Sequence, residues 1–116
     1  MAYVYIVRCE DDSLYTGITK DLAKRMKNHV EGTGASHAKY MRSHKPIEIM
    51  AVWQCEEYRM AARLEYAIKR LKRCDKLELI ATPHSVGERF PEFCECEFIP
   101  LSGITLDNCL DGISDR

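Results

Sequence analysis

The side chains best suited to chemistry begin with two tyrosine-bearing stretches, Tyr3-Val4-Tyr5 and Tyr15-Thr16-Gly17. A phenol can hold or take a proton, but its free pKa of about 10 makes it a poor base at neutral pH unless positive charge favours the phenolate. Arg25 and His29 follow, four residues apart and therefore one above the other on a helix. The guanidinium offers oxyanions a planar fork, and the imidazole can relay a proton near neutrality. Further on, Glu65 supplies the hard carboxylate oxygen that a divalent cation takes as ligand. Each group has a plainer reading. The tyrosines can be sheet packing, and Arg25 and His29 with Lys24 and Lys27 can be the solvated face of a basic helix. Glu65 can be an i,i+4 partner of Lys69, a pair worth roughly 0.2–0.5 kcal/mol.

The elements that must position these groups are legible from periodicity. Tyr3 to Val7 and Tyr15 to Thr19 are rich in β-branched and aromatic residues, and the intervening Glu10-Asp11-Asp12-Ser13 is turn-forming, so the two runs predict an antiparallel hairpin. Alternation puts Tyr3 and Tyr5 on one face and Val4 and Ile6 on the other. Gly17 removes a side chain where a backbone or ligand could approach. Asp21 is a candidate N-cap for a helix of about ten residues whose buried stripe is Leu22, Met26 and Val30. Ile47, Ile49, Ala51 and Trp53 alternate with Glu48, Met50, Val52 and Gln54 in a third strand that is largely apolar on both sides. Between residues 57 and 72 the period becomes helical, with Ala61, Leu64, Ile68 and Leu71 on one stripe and Glu65 at its edge. Asp75 is placed to cap a short further helix over residues 76–80 before Thr82-Pro83 interrupts the pattern.

The tyrosine spacing, the helix carrying Arg25 and the later helix carrying Glu65 together resemble the GIY-YIG endonuclease domain, most closely its small single-domain bacterial members, over residues 1–81. Tyr5, Tyr15 and Gly17 carry the match, because the first tripeptide lacks the family's glycine and both middle positions are substituted. Where many members carry a polar residue, often asparagine, after the acidic helix, residues 76–80 offer no asparagine. The resemblance implies an α/β fold of order β-β-α-β-α(-α), a small three-stranded sheet covered by helices. It implies metal-dependent hydrolysis of phosphodiester bonds in DNA, with water attacking phosphorus and one Mg2+ or Mn2+ as cofactor. Tyr5 is then the candidate to position and deprotonate the water, with Tyr15 supporting it. Arg25 faces phosphate oxygens, His29 relays a proton or orients a phenol, and Glu65 is the metal ligand.

Residues 35–46 form a basic loop with one aromatic, and Lys39, Tyr40, Arg42 and Lys45, with Lys69, are candidate nucleic-acid contacts. No target-recognition module is visible, so substrate structure or damage, as in repair or recombination, is the expected guide. DNA is the expected partner, with RNA and a protein partner left open. The alternatives are a catalytically weak nucleic-acid-binding module and a protein-interaction adaptor.

Composition divides the chain near residue 82. Residues 1–81 hold 15 Lys+Arg against 11 Asp+Glu, and residues 82–116 hold 2 against 7, so the overall charge of -1 conceals a basic body and an acidic tail. The positive body suits a polyanion. The tail, with Phe90, Phe93 and Phe98 placed to dock in part on the body and its last residues expected to be mobile, could compete with nucleic acid for the basic surface. No apolar run reaches the roughly 18 residues of a membrane span, and no secretory signal is apparent, so a cytoplasmic location is expected. The 6 cysteines are accordingly expected as thiols, and Cys94, Cys96, Cys109 and His84 make a poor zinc set.

Overall fold

In a computed structural model the chain is described over residues 1–31, 45–93 and 96–106, with the backbone alone for residues 29–31. It forms the strands β1 (Ala2–Cys9), β2 (Leu14–Thr19), β3 (Pro46–Cys55) and β4 (Ile99–Leu101). The helices are α1 (Leu22–Glu31), α2 (Tyr58–Lys69), α3 (Arg73–Ala81) and the single turn α4 (Val86–Arg89). All neighbouring strands are antiparallel, in the order β2-β1-β3-β4. The three expected strands are joined by a fourth, which the tail supplies. Its Pro100 lies opposite Trp53, and proline is tolerated because β4 is an edge strand.

The predicted hairpin forms with Tyr5 opposite Gly17, Val7 opposite Tyr15 and Tyr3 opposite Thr19. Its turn is closed by backbone bonds from Asp12 N–H to Cys9 C=O (2.8 Å) and from Cys9 N–H to Ser13 C=O (2.9 Å). Asp12 takes a positive φ of 68°, a conformation that aspartate tolerates better than most residues.

Strand alternation separates two packing layers. Val4, Ile6 and Trp53 face Ala61, Leu64 and Ile68 of α2, with Leu79, Val86, Phe90 and Phe93 extending the same buried cluster. The stripe expected on the second helix is therefore the core-facing one. Tyr5, Val7 and Val52 face Met26 of α1 on the opposite side of the sheet, with Tyr15 and Leu22 packed against them. The side chain of Val30, expected to complete the α1 stripe, lies outside the described residues. Trp53 is fully buried, and its indole N–H donates to the Pro83 carbonyl at 2.7 Å, which holds the turn after α3 against the sheet. Phe93 packs edge-on against Phe90 and Phe98 at centroid distances of 5.9 and 5.6 Å, so the expected docking aromatics form one cluster.

Candidate active site

Tyr5 is 1% exposed, and its phenol lies across Gly17 on the neighbouring strand. A Cβ at position 17 would collide with the Tyr5 hydroxyl and stand 2.6 Å from its Cζ, so glycine is required there by the ring itself. The close approach anticipated at Gly17 is thus made by a catalytic candidate, where a backbone or ligand was expected. Tyr15, half-buried, places its ring centroid 6.4 Å from that of Tyr5 at an interplanar angle of 42°. The two phenols share a face because Tyr5 pairs with Gly17 and Tyr15 lies two residues before it.

Arg25 reaches this face from α1, whose start is fixed immediately after β2. Asp21 caps it, the carboxylate accepting from Lys24 N–H at 3.1 Å, and Thr19 Oγ1 accepts from Asp21 N–H at 3.0 Å. Because Met26 is fully buried one residue later, Arg25 is held at the rim of the layer, half-buried. Glu65 approaches from α2, next to the buried Leu64, with its side chain 21% exposed. Its carboxylate lies 3.5 Å from Lys69 Nζ, so the i,i+4 pair does form. The same ammonium stands 5.7 Å from the Tyr15 ring centroid.

The electrostatics bind these groups into one site. Burial pushes the Tyr5 phenol well above its ordinary range; the neighbouring Tyr15 adds to the rise, the Arg25 guanidinium opposes it, and Glu65 and Tyr58 raise it further. Tyr15 is likewise raised, first by burial and then by Glu65, again against Arg25. In the protein alone both phenols therefore stay protonated at neutral pH, and an added positive charge is needed before either serves as a base.

Tyr5, Tyr15, Arg25 and Glu65 are thus brought together. His29 lies on α1 one turn beyond Arg25, but its side chain is outside the described residues, as are Lys39, Tyr40 and Arg42. Lys45 is exposed at the start of β3, its carbonyl accepting from Glu10 N–H at 2.9 Å, and Lys69 sits with Glu65. Tyr58 was missed by sequence reasoning. It is the first residue of α2, 44% exposed, and close enough to act on the Tyr5 phenol. An aromatic at a helix start carries no periodic signal.

A single carboxylate with room for water and substrate oxygens suits Mg2+ or Mn2+, which keep much of their hydration. Among the described residues no group of three or more His, Cys, Asp and Glu could hold a metal ion. Cys55, Cys74 and Cys96 are free thiols, and Cys9 is buried. No described helix is long and apolar enough to cross a membrane.

The chain is similar to the UPF0213 protein of Clostridium perfringens, 46% identical over 90 residues that span 78% of this chain and 94% of the relative. It is 41% identical to the UPF0213 protein of Fusobacterium nucleatum over 83 residues, 72% of this chain and 80% of that one. The solution NMR structure of the UPF0213 protein from Bacillus halodurans is 33% identical, with a TM-score of 0.44, over 78% of this chain and 97% of that chain. Residues 1–78, which carry both tyrosines, Gly17, Arg25 and Glu65, match the GIY-YIG catalytic domain, and the chain belongs to that family.

Proposed function

We propose that the protein is a divalent-metal-dependent endonuclease that hydrolyses phosphodiester bonds of DNA, guided by substrate structure in repair or recombination. One observation carries the reading: the Tyr5 and Tyr15 rings stand 6.4 Å apart, with the Glu65–Lys69 pair set against the Tyr15 ring and Arg25 at the rim of the same layer, so that polar groups from four separate elements share one site.

Tyr5 positions the attacking water. In its phenolate form, which Arg25 favours and burial opposes, it takes the water's proton, with Tyr15 sharing the role. Arg25 holds non-bridging phosphate oxygens through two N–H donors and neutralises charge that develops as the water oxygen attacks phosphorus. His29 relays the proton onward. Glu65 would hold the cation, which when bound supplies Lewis-acid stabilisation of the phosphoryl and leaving oxygens. Lys69 is placed to release Glu65 and turn to a phosphate, and Lys39, Tyr40, Arg42 and Lys45 track the backbone. Cytoplasmic residence belongs to the same reading.

The test is incubation of branched and linear labelled DNA with Mg2+, Mn2+ or EDTA, for wild type and Glu65→Gln. Glutamine keeps the shape but removes the charge that a hard cation needs, so nicking should collapse while binding in EDTA persists. Equal nicking across a Mg2+ titration would remove Glu65 from the metal site. The reading would then pass to a nucleic-acid-binding module without strong catalysis, which the Glu65–Lys69 pair and the raised Tyr5 favour.

A further inference from the structure

Beside the phenols an open cleft of about 450 Å³ is lined by Thr19, Lys20, Asp21, Lys24, Arg25, Asn28 and Tyr58. Lys20, Lys24 and Arg25 are cationic and Asn28 carries an amide donor, whereas the one acid, Asp21, has its carboxylate engaged in capping α1. The cleft is therefore built for an anion along one wall. Tyr58, an exposed aromatic ring outside both buried clusters of the core, lines it too. Lys20 Nζ lies over one face of that ring, 5.4 Å from its centroid, so a base that stacks on Tyr58 takes the other face or displaces the ammonium toward the nucleotide's own phosphate. Arg25 belongs to this cleft and to the catalytic group alike, and Tyr58 bears on the Tyr5 hydroxyl.

We infer that Lys20, Lys24, Asn28 and Tyr58 form a nucleotide subsite that takes an unpaired nucleotide next to the scissile phosphate, its base stacked on Tyr58 and its phosphate held by the two lysines. This rests on the endonuclease reading for its position beside the cut. A base inside a continuous duplex presents no free face to the ring, so the subsite selects flaps, frayed ends and bulges over blunt duplex, and Tyr58 is the specificity-determining residue. The lysines hold any phosphate equally and set affinity alone.

The experiment reads binding and needs no cleavage: fluorescence anisotropy, in EDTA, of a labelled duplex bearing a short single-stranded flap and of the same duplex made blunt, titrated with the full chain. Wild type should prefer the flap. Tyr58→Ala should weaken flap binding by about 5- to 150-fold, the range for losing one base–aromatic stack, and leave blunt binding unchanged. Tyr58→Phe should restore the preference. Lys20→Ala with Lys24→Ala should weaken both probes and reduce the salt slope by up to about 0.7–0.9 for each phosphate that is no longer neutralised.

Unchanged flap binding by Tyr58→Ala, or an equal loss on both probes, would overturn the subsite. So would a labelled polyglutamate peptide that binds as tightly as the flap and shows the same loss. Wild type that binds the flap through Tyr58 yet never nicks DNA would leave the subsite standing and remove the endonuclease. Nicking that is indifferent to Tyr58, with no flap preference, would do the reverse.

Discussion

The two faces of β1 are built from alternate residues of one eight-residue strand, and they follow different rules. On the face toward α2, Val4 and Ile6 meet Trp53, Ala61, Leu64 and Ile68, and the packing is apolar and closed. On the face toward α1, Tyr5 is equally buried, but it carries a hydroxyl, crosses a glycine and lies in the field of Arg25 and Glu65. Burial is the same on both faces; what differs is whether it serves cohesion or sets the reactivity of a polar atom. The α2 face is closed by apolar packing, and the α1 face buries a phenol whose ionisation is made harder by burial and by its neighbours.

The comparison can be broken from either side. Trp53→Ala should cost about 3–5 kcal/mol, as large-to-small changes in a packed core do, and denaturant unfolding would read it. A negligible loss would mean that the α2 face is not what holds the sheet. Tyr5→Phe should do the opposite, sparing most of the stability while lowering the nicking rate by about a hundredfold or more, the scale of an acid–base group. A fully active Tyr5→Phe enzyme would strip that face of its role. Gly17→Ala should hurt on both counts, because the methyl group and the Tyr5 ring cannot share the space. Overpacking of this kind costs about 1–3 kcal/mol, and nicking should fall with the displaced phenol.

The smallest effect sharpens the contrast through pH. The Tyr5 pKa is raised on folding, so its contribution is fully present below the unfolded value of about 10 and is lost as pH rises toward the folded one. Above about pH 10 the unfolded chain releases this proton while the native state keeps it, so stability falls by at most about 1.4 kcal/mol per pH unit from this group. Denaturant midpoints through that window should drop less steeply for Tyr5→Phe than for wild type. Parallel slopes would mean that the phenol is not desolvated.

Period-two and period-3.6 patterns made β1, β2, β3, α1 and α2 legible in the sequence, because each has one face that must be apolar. The Asp21 cap was legible for the same local reason, as its carboxylate needs only the next few N–H groups. That Glu65 and Tyr5 belong to one candidate site was suggested by the family's spacing alone, since no local rule brings the two together. Strand β4 was not legible: three residues with a central proline give no alternation, and only the open edge of β3 decides their pairing. Tyr58 was hidden because its importance comes from what the fold sets beside it, Lys20 above all.

The bond from the Trp53 indole to the Pro83 carbonyl separates two ideas of where this protein ends. The match to the family's catalytic domain covers residues 1–78. A fragment cut there would keep every catalytic candidate but leave a buried donor without its acceptor, an omission that costs about 1–3 kcal/mol, and would bare the edge of β3 that β4 covers. The inherited unit and the excisable unit are therefore different lengths of the same chain. A fragment trimmed to residues 1–78 should keep the candidate site together with a tendency to associate along its exposed strand.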